Sequence, residues 1–200
     1  MEFKDEALIS FSEKSCSLGE KSISLEVMDI LSISDDLLHE GEHRSESGVR
    51  VEMATLDDLP ELTELVMDLF SMSSGDFKPD REVQERGLRL ILEQPSRGRI
   101  VIARNDDQIF GMVNLLFTLS TERGGFVILM EDVVIHPHHR GQGYGTMLLD
   151  RVIEFARNKN FLRITLLTDK ISAESQEFFK KQGFAYSNMI PMRYIIETEP

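Results

Sequence analysis

Residues 136–146, HPHHRGQGYGT, constrain the fold more than any other stretch of the chain. Gly141, Gly143 and Gly145 stand at alternate positions, so the backbone carries no Cβ atoms there and its N–H groups can be laid against a bulky anion. Before the loop comes FVILMEDVVI, apolar on both faces as a central strand is. After it, Leu148, Val152 and Phe155 interleave with Leu149, Ile153 and Ala156 in the two-sided stripe of a helix laid on a sheet. A strand feeding a glycine loop and then a helix brings loop N–H groups and the positive end of the helix macrodipole to one point. That arrangement suits a pyrophosphate.

Two other phosphate-binding designs fail against these residues. A dinucleotide-binding unit wants a third glycine where Thr146 stands, HPHHR separates strand from loop, and the chain after the loop is too short for the second half of a doubly wound sheet, even though Asp169 follows the next strand. A Walker A loop requires Gly-Lys-Ser/Thr, which is absent. A turn with no ligand leaves three alternate glycines behind an arginine unexplained.

The rest of the chain reads as an α/β domain over residues 49–200. VRVEMA alternates like a strand, and Thr55 with Asp58 forms a T-x-x-D cap before Leu59, Leu62, Val66 and Leu69 on one helical face. A second helix is predicted from Asp80 to Leu92. RIVIAR, the turn NDDQ, IFGMVNLLFTLS, the turn TERGG and FVILMEDVVI follow as an antiparallel meander. RITLLT is predicted as a strand, SAESQEFFKKQ as a helix closed by Gly183, and PMRYII as a final strand. Residues 1–48 read instead as an acidic extension, in which ISLEVMDILSI offers a short docking helix between polar flanks.

The formal charge is −13, and residues 1–48 hold 12 acidic and 4 basic side chains. Such a balance argues against nucleic acid, whose binding draws on Lys and Arg set against phosphates. An acidic surface attracts cationic substrates such as amines, and it equally confers solubility. No run approaches the ~20 apolar residues of a membrane helix, and the start, MEFKDEALIS, lacks the order of a signal peptide, so no membrane partner and a cytoplasmic location are expected. The single cysteine, Cys16, reads as a free thiol without a role. HEGEH, residues 39–43, fits H-E-x-x-H only literally, because Gly41 lies between the histidines and no apolar face steadies a helix there. His136, His138 and His139 have no Cys or carboxylate at a ligating spacing. No metal is expected; these read as solvated loop histidines.

Arg140-Gly141-Gln142-Gly143-Tyr144-Gly145 matches the R/Q-x-x-G-x-G/A signature of the GNAT N-acetyltransferases, and the order of strands and helices over about residues 49–196 resembles that family too. Locally, LMEDVVIHPHHRGQGYGT is similar to the diamine acetyltransferase branch. The resemblance implies the acyl-CoA N-acyltransferase fold: a mixed central sheet flanked by helices, with two parallel strands splayed apart, in a monomer or homodimer. It implies acetyl-CoA as cosubstrate. Its pantetheine arm would hydrogen-bond the backbone of Val133, Val134 and Ile135, and its pyrophosphate would take N–H groups from Gly141 to Thr146 behind Arg140. Ser172 stands where many members carry an Asn that contacts the coenzyme A arm; its hydroxyl serves there or caps a helix. Phe179 occupies the place of a Tyr that protonates the departing thiolate in many members, and Phe has no proton to give.

An amine acceptor with pKa near ~10 must lose a proton before it attacks a thioester, so a base is useful. Glu131 and Asp132 interrupt the apolar strand just before the pantetheine segment. Neighbours on a strand face opposite sides, so one of the two at most is expected to face the acetyl group. Glu131 is the choice, by its match to a glutamate of the diamine branch; a strand-end acid tied up in a salt bridge is the other reading. The expected function is acetyl transfer from acetyl-CoA to the primary amine of an acceptor, cationic ones included. A non-catalytic acyl-CoA-binding module of the same fold is the alternative, and Phe179 gives it substance.

Overall fold

The computed structural model describes residues 48–71, 78–106, 108–167 and 173–196, together with the backbone of 43–44. Cys16, the segment ISLEVMDILSI, residues 39–42 of HEGEH and Ser172 lie outside the described residues. Six strands form one sheet in sequential order: β1 (His43–Arg44), β2 (Arg50–Met53), β3 (Gly98–Arg104), β4 (Ile109–Ser120), β5 (Gly125–Ile135) and β6 (Ile164–Leu166). Neighbours pair antiparallel from β1 to β5, and β6 joins β5 in parallel, so the sheet is mixed as expected. His43 and Arg44, within the stretch 1–48, add a two-residue edge to β2.

Four helices cover the sheet. α1 (Leu59–Ser71) and α2 (Arg81–Glu93) lie on one face, where Leu59, Leu62, Leu65, Val66 and Leu88 pack against Ile100, Ile102, Ile109, Met112 and Val134. α3 (Tyr144–Asn158) lies on the other, burying Leu148, Leu149, Val152, Phe155 and Ala156 against Val101, Val113, Leu115, Ile128 and Met130. Phe178 and Phe179 of α4 (Ala173–Lys181) pack at the border of that second cluster. Each apolar face is what helical periodicity requires of a helix that covers a sheet on one side only.

The predicted caps form. Asp58 accepts from both the N–H and the hydroxyl of Thr55, at 2.8 and 3.1 Å, and the chain enters α1 through a 3₁₀ turn at Leu56–Asp58. Asp80 accepts from the N–H groups of Glu82 and Val83, which fixes the start of α2. Gly183 adopts φ +89° beyond α4.

The final strand does not form. PMRYII has no strand partner among the described residues, and Met192 and Tyr194 are 93% and 92% exposed. Alternation reports only that a segment suits a pleated surface; pairing needs an edge to receive it. Here the strand at the sheet's end, β6, is paired over three residues only.

Candidate active site

The glycine loop joins the end of β5 to the start of α3. A short 3₁₀ turn at Pro137–His139 redirects the chain, and Arg140 Nε donates to the carbonyl of Ile135 at 2.8 Å, bracing the loop on the strand it leaves. Gly141 and Gly143 have φ of +73° and +86°, where a Cβ is strained, and Gly143 is the N-cap of α3. Gly145 serves a different end. A Cβ on it would meet Cζ of Phe178 at 3.1 Å, so its bareness lets α3 and α4 approach.

The side chains of this loop are largely engaged elsewhere. Gln142 donates to the carbonyl of His138, Tyr144 tilts against Phe110 with centroids 5.0 Å apart, and the Thr146 hydroxyl accepts from Gln182 at 3.2 Å. What the loop offers a ligand is backbone. Among the described residues no side chain caps the N-terminus of α3 and a Cβ at Gly143 would meet nothing within 4 Å, and the N–H groups of a helix's first turn have no partner within the helix. An open, uncapped helix end carrying positive partial charge fits a diphosphate.

The three histidines border the loop. His139, half-exposed, is also packed: its ring stacks on Phe110 at 4.2 Å and 9°, and its Nε2 lies 3.0 Å from Nε2 of Gln108. Burial, then the neighbouring His136 and His138, holds its pKa below the ordinary value. No cluster of three potential metal ligands occurs among the described residues.

The other end of the site lies on β5 itself. Pairing with β6 runs from Ile128–Ile164 to Met130–Leu166, and beyond it Val133, Val134 and Ile135 have no β6 partner in register among the described residues. On the β4 side the register slips: Met112 pairs with Val134 but Asn114 with Glu131, so β5 spends one residue more than β4. This is a β-bulge at Asp132–Val133, with Asp132 at φ +49°. Upstream of it Ile128 and Met130 face α3; downstream, Val133 and Ile135 do.

The bulge overturns the expectation that Glu131 and Asp132 face opposite sides. Directly paired residues share a face, so Glu131 lies on the face of Asn114, which with Met112 belongs to the α1/α2 side. Asp132 reaches the same place, because its Oδ2 accepts from Nδ2 of Asn114 at 2.6 Å. Two carboxylates and an amide thus meet on one face. Asn114 is the residue that sequence reasoning missed; its one signal was a lone amide inside the apolar run IFGMVNLLF.

Phe179 packs edge-on against Phe178 and Phe184, with centroids 5.2 and 5.9 Å away. It contributes apolar surface and no proton.

Residues 59–184 match the acetyltransferase (GNAT) family, and the chain belongs to it. It is 37% identical over 68 residues to an uncharacterized N-acetyltransferase of Gracilaria tenuistipitata var. liui, covering 34% of this chain and 36% of that one. It is 33% identical over 78 residues to the glucosamine 6-phosphate N-acetyltransferase of Trypanosoma brucei brucei, covering 38% and 51%. The chain therefore spans about a third to a half of the length of these curated relatives. A possible acetyltransferase from Clostridium difficile 630 shares the fold at a TM-score of 0.67 and 15% identity, over 75% of this chain and 99% of that one. The likeness to the diamine branch finds no support among these relatives. Among the described residues no helix is long and apolar enough to cross a membrane.

Proposed function

We propose that this chain transfers the acetyl group of acetyl-CoA to a primary amine by direct attack, with the whole reaction housed in residues 49–200. The observation that carries the reading is the end of β5. One strand leads from two carboxylates, past an edge that pairs with no described residue of β6, to a helix N-terminus lined with glycine backbone. Glu131 and Ile135 are four residues apart, at most about 13 Å, shortened by the bulge between them. That span separates a place for proton transfer from the loop suited to an anion.

Acetyl-CoA supplies the activated acyl group as a thioester. The N–H groups of Gly141 to Thr146 hold its diphosphate, and the backbone of Val133 to Ile135 aligns its arm and polarises the carbonyl. Glu131 takes the proton that the ammonium must lose before its nitrogen attacks. A C–N bond forms and the C–S bond breaks; the first proton leaves through Glu131 to solvent, and the second, shed by the nitrogen once it is bonded to carbon, goes to water or to the departing thiolate. A thiolate of pKa near ~8.5 departs at neutral pH without a donor, so Phe179 does not forbid the chemistry.

The acceptor fits an amine that arrives as a cation, since Glu131 and Asp132 share the face it would approach. The trypanosomal relative acts on an amino sugar phosphate, whose amine suits this site and whose phosphate does not. The experiment is thiol release from acetyl-CoA by purified protein offered linear diamines, aminoglycosides, amino sugars and peptide N-termini. Amine-dependent release supports the reading; tight acetyl-CoA binding with no release for any amine supports a binding module, the reading that Phe179 favours.

A further inference from the structure

Asn114 is 5% exposed, set between Ile100 on β3 and Glu131 on β5. Its Nδ2 donates to Asp132, while its Oδ1 is buried with no hydrogen-bond partner. The unpaired half of a buried amide costs stability, which its one charge-assisted bond to Asp132 offsets in part. What the amide does accomplish is directional. Asp132 stands in a left-handed conformation that a short polar side chain tolerates, and the hydrogen bond turns its carboxylate onto the face of Glu131.

We propose that Asn114 is a positioning residue that holds Asp132 beside Glu131, so that the two carboxylates together receive the ammonium group of a cationic acceptor. The proposal rests on reading β5 as an amine-acetylating site. An ammonium has three donors and a carboxylate accepts several, so one acid can take the proton while the other keeps the cation in place. The neutrality of the amide matters. A lysine or arginine at 114 would fix the carboxylate equally well but cancel the charge that attracts the substrate, whereas an amide fixes it and leaves its charge intact.

The test is Asn114→Leu, made in the wild-type chain and in Asp132→Asn, with the most active cationic amine of the thiol-release panel as probe. Asn114→Leu is expected to raise KM for that amine roughly tenfold or more, with kcat changed by less than about threefold and acetyl-CoA affinity kept within about twofold. In the Asp132→Asn background, Asn114→Leu should add less than about twofold, because its partner's charge is already gone. Effects that multiply across the two substitutions, or an unchanged KM, overturn the proposal. If the wild-type protein acetylates only uncharged amines, the proposal falls and the acetyltransferase reading stands. If no amine is turned over, both fall.

Discussion

The two ends of β5 are built by opposite means. At its C-terminal end the glycine loop works by removing side chains: Gly141 and Gly143 adopt left-handed backbone, and the remaining side chains are turned to bracing the loop. At the bulge, side chains are concentrated, and one extra backbone residue brings Glu131, Asp132 and Asn114 to one face. A backbone cradle recognises any diphosphate ester, so on the proposed reading that end is general to the cosubstrate. A carboxylate cluster recognises charge and position, so on the same reading that end would decide the acceptor.

The largest effect expected from this contrast is at the loop. Gly143→Glu places bulk and a negative charge over the helix end, and acetyl-CoA binding should vanish while the protein remains folded, since a Cβ there meets nothing within 4 Å. Gly143→Ala separates strain from charge: it carries the same left-handed penalty of about 1–2 kcal/mol without the repulsion, and should weaken binding far less. Calorimetric titration reads both.

At the bulge, Glu131→Gln should lower kcat/KM by the ~10²–10⁴ of a lost general base while acetyl-CoA affinity is retained. A loss below about threefold would mean that Glu131 is a structural acid and that the catalytic half of the contrast is misplaced. Next in size comes Phe179→Tyr, which restores a hydroxyl within the Phe178–Phe184 stack and should change kcat by less than about tenfold, because the thiolate needs no donor. If it instead turns an inactive protein into an acetyltransferase, the unsubstituted chain is a binding module.

The smallest effect concerns the chain before the domain. Removing residues 1–47 takes away the two-residue strand β1 but none of the described residues that pack the two cores, and cooperative unfolding and acetyl-CoA affinity are expected to persist. Loss of cooperativity would show that this segment belongs to the core.

How legible each feature was in the sequence follows from the same contrast. The loop announced itself because glycine is the residue that permits its backbone, and the helix after it because Leu148, Leu149, Val152, Phe155 and Ala156 keep a helical period. The meander, both caps and the faces of α1 and α3 were readable from spacing alone. The bulge was not. FVILMEDVVI is apolar on both sides of the sheet, so the shift of inward positions from Ile128 and Met130 to Val133 and Ile135 leaves no mark in the pattern, and the left-handed residue is Asp132, not a glycine. Asn114 was passed over because its role depends on that slip. PMRYII failed for the opposite reason: its local pattern was strand-like, and the pairing depends on an edge elsewhere in the fold.

The most direct measurement is titration of acetyl-CoA into Gly143→Glu and Glu131→Gln side by side, with thiol release to the best amine followed in the same samples. The account predicts that Gly143→Glu loses acetyl-CoA binding and turnover together, whereas Glu131→Gln binds acetyl-CoA as the unsubstituted protein does and fails only in transfer. Unchanged affinity in Gly143→Glu, or loss of affinity in both variants alike, would contradict the division of β5 into a cosubstrate end and an acceptor end.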